Sequence, residues 1–173
     1  YMMKILIIGQ PGSGKQKVSE FIEQNFGISH ISTGDICRSN DSIKDIVASG
    51  ELVPDDIVSN AVHEVLSSLD SWNLDGYPRK TTQMDIVPDF IIQLICPEEV
   101  SFNRILISSD RNGREDDNTE VIKKRFRVYR DETMPVIEKY KEQGVPHYCV
   151  FSGGTFDETN DIIDMILKVK GME

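Results

Sequence analysis

Lys4-Ile5-Leu6-Ile7-Ile8-Gly9-Gln10-Pro11-Gly12-Ser13-Gly14-Lys15 is the stretch that decides the fold. The apolar run from Lys4 to Ile8 reads as a strand buried on both faces. It stops at a loop with glycines at 9, 12 and 14, and a helical pattern follows with Val18, Phe21, Ile22 and Phe26 on one face. Strand, glycine loop and helix in this order make an anion cradle. The glycines let backbone N–H groups point inward, the helix start adds its positive pole, and Lys15 can reach β- and γ-phosphates. A dinucleotide fingerprint would need a further glycine at 17, where the chain has Lys17. A plain turn has no use for three glycines and a lysine at this junction. Gly9, Gly12, Ser13, Gly14 and Lys15, with Gln16 and Lys17 in the first helical turn, are therefore expected to bind phosphate. Gln16 stands where a phosphate loop usually offers a Ser or Thr hydroxyl to Mg²⁺.

Outward from the loop the chain alternates. Ile28 to Ile31, Trp72 to Asp75, Phe90 to Ile95 and His147 to Phe151 read as four further strands. After Pro54-Asp55, the residues Val58, Ala61, Val62, Val65, Leu66 and Leu69 recur at helical spacing. Glu98 to Ile107, Thr119 to Tyr129 and Asp131 to Gln143 read as helices, and Ile162, Ile163, Ile166 and Val169 mark a closing one. Pro135 stands early in its helix, where a first turn tolerates it. Strands alternating with helices imply an α/β fold with a parallel sheet covered on both faces. No repeat, low-complexity tract or linker divides the chain, so residues 1–173 are expected to form one domain.

Nineteen Lys+Arg against 29 Asp+Glu leave a net charge of −10 over 173 residues. That balance argues against nucleic acid and anionic membrane as partners. No apolar run approaches the ~20 residues of a membrane span, and the first residues lack the make-up of a signal peptide. Cys37, Cys96 and Cys149 are odd in number and scattered, which fits packing thiols in a reducing, cytoplasmic compartment. His30, His63 and His147 are equally scattered and argue against a histidine metal site.

Six of the eight arginines lie between 104 and 130. The stretch 97–132 holds 8 basic and 9 acidic side chains, nearly neutral in a chain at −10, and this points to a local anion site. Arginine suits a bidentate grip on phosphate oxygens. Some of these arginines, Arg127 and Arg130 first, read as solvated helix charges in i, i+4 pairs. Asp75 ends a strand in Leu74-Asp75-Gly76-Tyr77-Pro78-Arg79. A carboxylate there, beside a phosphate loop, is placed to hold water on Mg²⁺, although a lone Asp at a strand end is usually a turn residue.

Further stretches complete a pattern: Ser32-Thr33-Gly34-Asp35-Ile36-Cys37-Arg38, Gly50-Glu51-Leu52-Val53-Pro54, and Asp75-Gly76-Tyr77-Pro78-Arg79 with Gln83. Gly113-Arg114-Glu115-Asp116-Asp117 and Lys124-Arg125 follow. In this order and combination the chain resembles the adenylate kinases and related nucleoside monophosphate kinases, from first strand to last helix. The resemblance implies a five-stranded parallel sheet with two small inserts, an acceptor-binding segment at 33–60 and a short lid at 104–117. It implies reversible phosphoryl transfer from ATP to AMP giving two ADP, with Mg²⁺ as cofactor and nucleotides as partners, in a cytoplasmic monomer. It also implies roles. Lys15 and the loop amides hold the donor phosphates, and Arg104 stacks on the donor base. Arg38 and Arg79 grip the acceptor phosphate, while Thr33, the backbone at Val53, Gly76 and Gln83 form the acceptor site. Arg114 and Arg125 bridge the transferring group, which makes Lys15, Arg79, Arg114 and Arg125 the catalytic set. Asp35 and Asp75 would anchor Mg²⁺ through water. Arg104 and Arg114 lie ten positions apart, which leaves no room for a zinc-bearing lid.

The acceptor follows from two residues. Gln83 offers both a donor and an acceptor, which suits the edge of adenine, and Thr33 is the adenine-side residue of the resemblance. Thr33 and Gln83 also read as local capping groups. Departures from the family pattern are Gln16 and Lys17 in place of Gly-Thr, Ser108 in place of an arginine, and a segment from Arg38 to Leu52 shorter by roughly two helical turns. The alternatives are a UMP/CMP-type kinase, or a kinase-fold module that binds nucleotide, turns over weakly and serves regulation.

Overall fold

The computed structural model describes residues 2–48, 53–112 and 119–173, the side chains of 47–48 and 109–112 excepted. The first strand, β1, is Lys4–Gly9, and helix α1, Lys15–Phe26, leaves directly from the glycine loop. Then come β2 (Ser29–Ser32), α2 (Thr33–Ser39), α3 (Asp41–Ala48), α4 (Asp55–Leu66) and β3 (Trp72–Asp75). A 3-10 turn at Thr81–Gln83 leads to β4 (Phe90–Ile95). The rest is α5 (Glu98–Asn112), α6 (Thr119–Val128), a π-helical turn at Tyr129–Thr133, α7 (Met134–Glu142), β5 (His147–Phe151) and α8 (Phe156–Gly171). The strands form one parallel sheet in the order β2-β3-β1-β4-β5.

Side chains of β1 alternate between two cores, as a strand's period of two requires. Ile5 and Ile7 pack with Val18, Ile22, Phe90, Ile92, Ile163 and Leu167 beneath α1 and α8. Leu6 and Ile8 pack on the other face with Val62, Leu74, Ile91, Val136, Ile137 and Tyr140, beneath α4 and α7. Each such side chain contributes about 1.5–3 kcal/mol when fully buried. A strand apolar at every position is stable only with helices on both sides. The alternation of the sequence therefore produces the expected α/β sheet.

The register sets the chemistry. Ile7 lies beside Asp75 on β3, and Gly9 lies beside Leu94 on β4. The glycine loop thus emerges at the carboxyl end of the central strand, with Asp75 on the neighbouring strand end. Ligands of open parallel sheets bind at this edge.

Several elements differ from the sequence reading. Helices α2 and α3 were not expected. They are only 7 and 8 residues long, shorter than the window over which helical periodicity is read, and α2 starts on Ser32, whose hydroxyl accepts the Asp35 N–H. Leu69 lies beyond the end of α4. The two helices expected at 119–129 and 131–143 join through the π turn, where Met134 N–H donates to the Tyr129 carbonyl. Pro135, which has no N–H to give, then falls in the first turn of α7.

Tyr140 is buried at 1% exposure and donates its hydroxyl hydrogen to the Ile86 carbonyl at 2.6 Å. Tyr140→Phe leaves that carbonyl unpaired and is expected to lower stability by about 1–2 kcal/mol, read as a shifted urea midpoint with unchanged slope. An unchanged midpoint would show that the carbonyl has found another partner.

Candidate functional site

Gly12 and Gly14 adopt φ of 78° and 100°, the left-handed region that side chains avoid. A Cβ on Gly12 would lie 2.5 Å from the Ser101 carbonyl oxygen. Gly14 caps α1 without any side-chain acceptor, and no acidic residue stands in the first turn of that helix. The N–H groups of the first turn and the positive helix pole are therefore left to an anion.

Lys15 folds back over the loop and donates to the Gly9 and Gln10 carbonyls at 2.8 and 3.0 Å. Burial pushes its pKa down to about 8; Asp75 opposes this, while Arg79 and Arg125 add to it. These groups meet around a cavity of about 390 Å³. Its polar lining is Lys15, Asp75, Arg79, Lys124, Arg125 and Thr133, and its floor is the glycine loop with Gly76, Tyr77 and Pro78. Four cations thus face one carboxylate.

The turn after β3 is tied down on every side. Gly76 has a φ of 92°, and Thr33 donates its hydroxyl to the Asp75 carbonyl at 3.3 Å. Arg79 donates Nε–H to the Gly76 carbonyl at 3.1 Å, and its own carbonyl accepts from Thr133 Oγ1 at 2.6 Å. The Gln83 amide oxygen accepts the Arg79 N–H at 2.9 Å, and its nitrogen donates to Asp55 Oδ1 at 3.3 Å. His30 Nε2 lies 3.9 Å from Asp75 Oδ2, too long for a hydrogen bond. The Asp75 carboxylate is nonetheless the main reason the His30 pKa is raised; burial opposes it, and Glu23 and Glu20 add to it.

A second set of contacts joins the loop to α5 and α8. Gln10 donates Nε2–H to Ser101 Oγ at 2.9 Å and to the Cys96 carbonyl. Arg104 reaches the carbonyls of Gly12, Ser13, Ser152 and Gly154. The Phe156 ring carries the Arg104 guanidinium at 5.0 Å and the Lys17 ammonium at 4.7 Å. Gln16 donates to Glu20 at 3.0 Å.

A family model described as Adenylate kinase matches residues 7–145. The chain belongs to the adenylate kinase family. It is 35% identical to an adenylate kinase of Pseudarthrobacter chlorophenolicus over 96% of this chain and 97% of that protein. It is equally identical to adenylate kinases of Phocaeicola vulgatus, with 90% and 93% covered, and of Encephalitozoon cuniculi, with 93% and 98% covered.

In this adenylate kinase family member, the residues expected at the site do not all meet. Gly9, Lys15, Asp75, Gly76, Arg79 and Arg125 share the cavity, and Thr33 and Gln83 touch its rim through Asp75 and Arg79. Asp35 and Arg38 do not line it; they are ion-paired to one another on the exposed surface of α2. The side chains of Gln16 and Lys17 turn to Glu20 and Phe156. Arg114, the rest of the stretch 113–117 and residues 50–52 lie outside the described residues.

Sequence reading missed Lys124, Tyr129 and Thr133 as cavity residues, and Gln10 and Phe156 as supports. Lys124 had a signal, being joined to Arg125 in one motif. Thr133 and Tyr129 had none, since the π turn that aims them leaves no pattern. Among the described residues, no group of three or more His, Cys, Asp or Glu side chains could hold a metal ion. One carboxylate beside a phosphate site fits Mg²⁺, which keeps several waters and takes its other ligands from substrate phosphates.

The raised His30 pKa is directly measurable. An NMR titration is expected to place it above 6.5, and Asp75→Asn is expected to bring it back down. The stability this pair contributes is fully present below pH 6.5 and lost as pH rises through the folded pKa, so Asp75→Asn should cost less in alkaline buffer. An unshifted imidazole would contradict the contact.

Proposed function

We propose that this chain catalyses reversible phosphoryl transfer from ATP to AMP, giving two ADP. The observation that carries the reading is the convergence of Lys15, Arg79, Lys124 and Arg125 on one cavity beside the glycine loop, with Asp75 at its edge. Phosphoryl transfer needs positioning and neutralisation of charge, and no covalent intermediate with the protein.

In this reading the loop amides and Lys15 hold the donor's β- and γ-phosphates, and Arg104, seated on Phe156, meets the donor base. Arg79 and Arg38 grip the acceptor monophosphate, with Thr33, Val53, Gly76 and Gln83 on the acceptor side. An oxygen of the acceptor phosphate attacks the γ-phosphorus while the bond to the β–γ bridging oxygen breaks, leaving its electron pair on the donor's β-phosphate. Arg125, with Arg114 from the lid side, neutralises the charge that spreads over the transferring group. Asp75, and Asp35 where the acceptor segment closes over the substrates, would hold Mg²⁺ through water; the ion supplies charge neutralisation on the phosphate oxygens. Segments 33–60 and 104–117 would exclude water as they close. A cytoplasmic monomer belongs to this reading, and the three free cysteines suit a reducing compartment. Among the described residues, no helix is long and apolar enough to cross a membrane.

A coupled assay of ADP formation with AMP, CMP, UMP and GMP in parallel tests the reading. Turnover confined to AMP is expected; a preference for CMP or UMP would overturn the roles of Thr33 and Gln83. Arg79→Ala is expected to cut kcat/KM by a hundredfold or more, on the order of losing one preorganised donor to developing charge, with the thermal midpoint little changed. Normal turnover in this variant would sink the site assignment.

Lys15 gives the pH dependence. With a pKa of about 8 the ammonium is charged below that pH, and a bound phosphate favours the charged form. ATP binding above pH 8 is therefore expected to take up a proton, and affinity to fall by up to about tenfold per pH unit. Calorimetry in buffers of different ionisation enthalpy reads the uptake, and Lys15→Met should abolish it.

A further inference from the structure

Beyond the nucleotide cavity, another set of donor atoms converges at the outer strand of the sheet. β5 pairs with β4 so that Cys149 is the register partner of Gln93. His147, two residues earlier on the same strand, points to the same face. His147 Nε2 lies 2.7 Å from Gln93 Oε1, and Cys149 Sγ lies 3.6 Å from that oxygen and 3.7 Å from Nε2. Gln93 is buried and its nitrogen meets Met134 Sδ at 3.6 Å, so the amide oxygen is held towards the pair. Cys149 is a free, exposed thiol. None of the three residues lines the nucleotide cavity.

The Cys149–His147 distance suits a coordination polyhedron, whereas His147 Nε2 and Gln93 Oε1 share a 2.7 Å hydrogen bond that has to open by about half an ångström for both to bind one cation. Zinc bonds thiolate at about 2.3 Å and imidazole at about 2.0–2.1 Å, which at a tetrahedral angle sets sulfur and nitrogen about 3.5 Å apart. The observed 3.7 Å therefore needs no backbone movement. Strand register, rather than a flexible loop, holds the donors in place. A thiolate with an imidazole selects soft or borderline cations over Mg²⁺ or Ca²⁺.

We propose that Cys149, His147 and Gln93 form a surface site for one thiophilic divalent cation of the Zn²⁺ or Cd²⁺ class, with water completing the shell. On binding, the Cys149 S–H gives its proton to solvent, and the His147 N–H moves to Nδ1 so that the Nε2 lone pair meets the cation. The protein's charge falls by one as the metal's two positive charges arrive. The two charged side chains that act on His147 are Lys141 and Glu138 of α7, which pair with one another at 3.5 Å.

The test is a Zn²⁺ titration of the reduced full chain against a chromogenic chelator, with Cys149→Ser and His147→Gln beside the parent and far-UV circular dichroism on each. Each substitution is expected to weaken Zn²⁺ binding about tenfold or more. A second readout follows the thiol itself: one equivalent of Zn²⁺ should slow iodoacetamide alkylation of Cys149 in the parent, located by mass spectrometry, about tenfold or more, while His147→Gln loses that protection. Zn²⁺ affinity equal in parent and variants, or Cys149 alkylated in the folded parent at the same rate with and without Zn²⁺, would overturn the proposal.

Discussion

An imbalance of charge organises the site. Lys15, Arg79, Lys124 and Arg125 line one cavity in which Asp75 is the only carboxylate among the lining residues. Burying the Lys15 ammonium is unfavourable on its own and is the main reason its pKa is lowered; Asp75 opposes this, and Arg79 and Arg125 add to it. The fold tolerates it by giving the Lys15 ammonium two backbone carbonyls, those of Gly9 and Gln10. An incoming phosphate therefore competes with the loop's own carbonyls as well as with water. Little reorganisation is then left for the reacting state, which is what electrostatic preorganisation means in physical terms.

The loop is rigid because it is riveted to what surrounds it. Gln10 reaches into the start of α5, Arg104 on α5 reaches back to Gly12 and Ser13, and the same guanidinium binds the carbonyls after β5. Gly12 lies against the Ser101 carbonyl so closely that no side chain fits. The phosphate loop, the first turns of α5 and the approach to α8 thus form one block. Arg104 contributes to that block structurally through its edges, whatever its planar face does for a base.

Much of this was legible in the chain before any coordinates. β3, β4 and β5 fall where apolar runs and flanking prolines put them, because buried parallel strands leave a signature with few alternatives. The glycine loop was equally plain, since a left-handed backbone at 12 and 14 demands glycine. Less legible are the short helices α2 and α3, each about two turns long and so too brief to stand out from their surroundings. The orientation of Gln16 and Lys17 was hidden for a different reason. Glu20 and Phe156, the partners that draw those side chains off, lie one helical turn and 139 positions further along. The sequence could show the unusual residues at 16 and 17 but not that the chain had made other use of them. From the sequence Thr33 reads as a cap, yet Ser32 takes that role and frees the Thr33 hydroxyl for the Asp75 carbonyl.

Helix α4 is fastened at both its beginning and its middle. Asp55 in its first turn takes Lys80, Thr82 and Gln83, all from the turn that carries Arg79. One and two turns on, Ser59 and His63 both meet Asp85, which also accepts the Tyr77 hydroxyl at 2.7 Å. Swinging this helix as a rigid body would break all of these contacts together. The helix is therefore tied to the frame along its first three turns. In the proposed closure, a movement confined to residues before Asp55 keeps all of these contacts, whereas one that carries residues 55–60 along has to give up the Asp55 and Ser59 bonds.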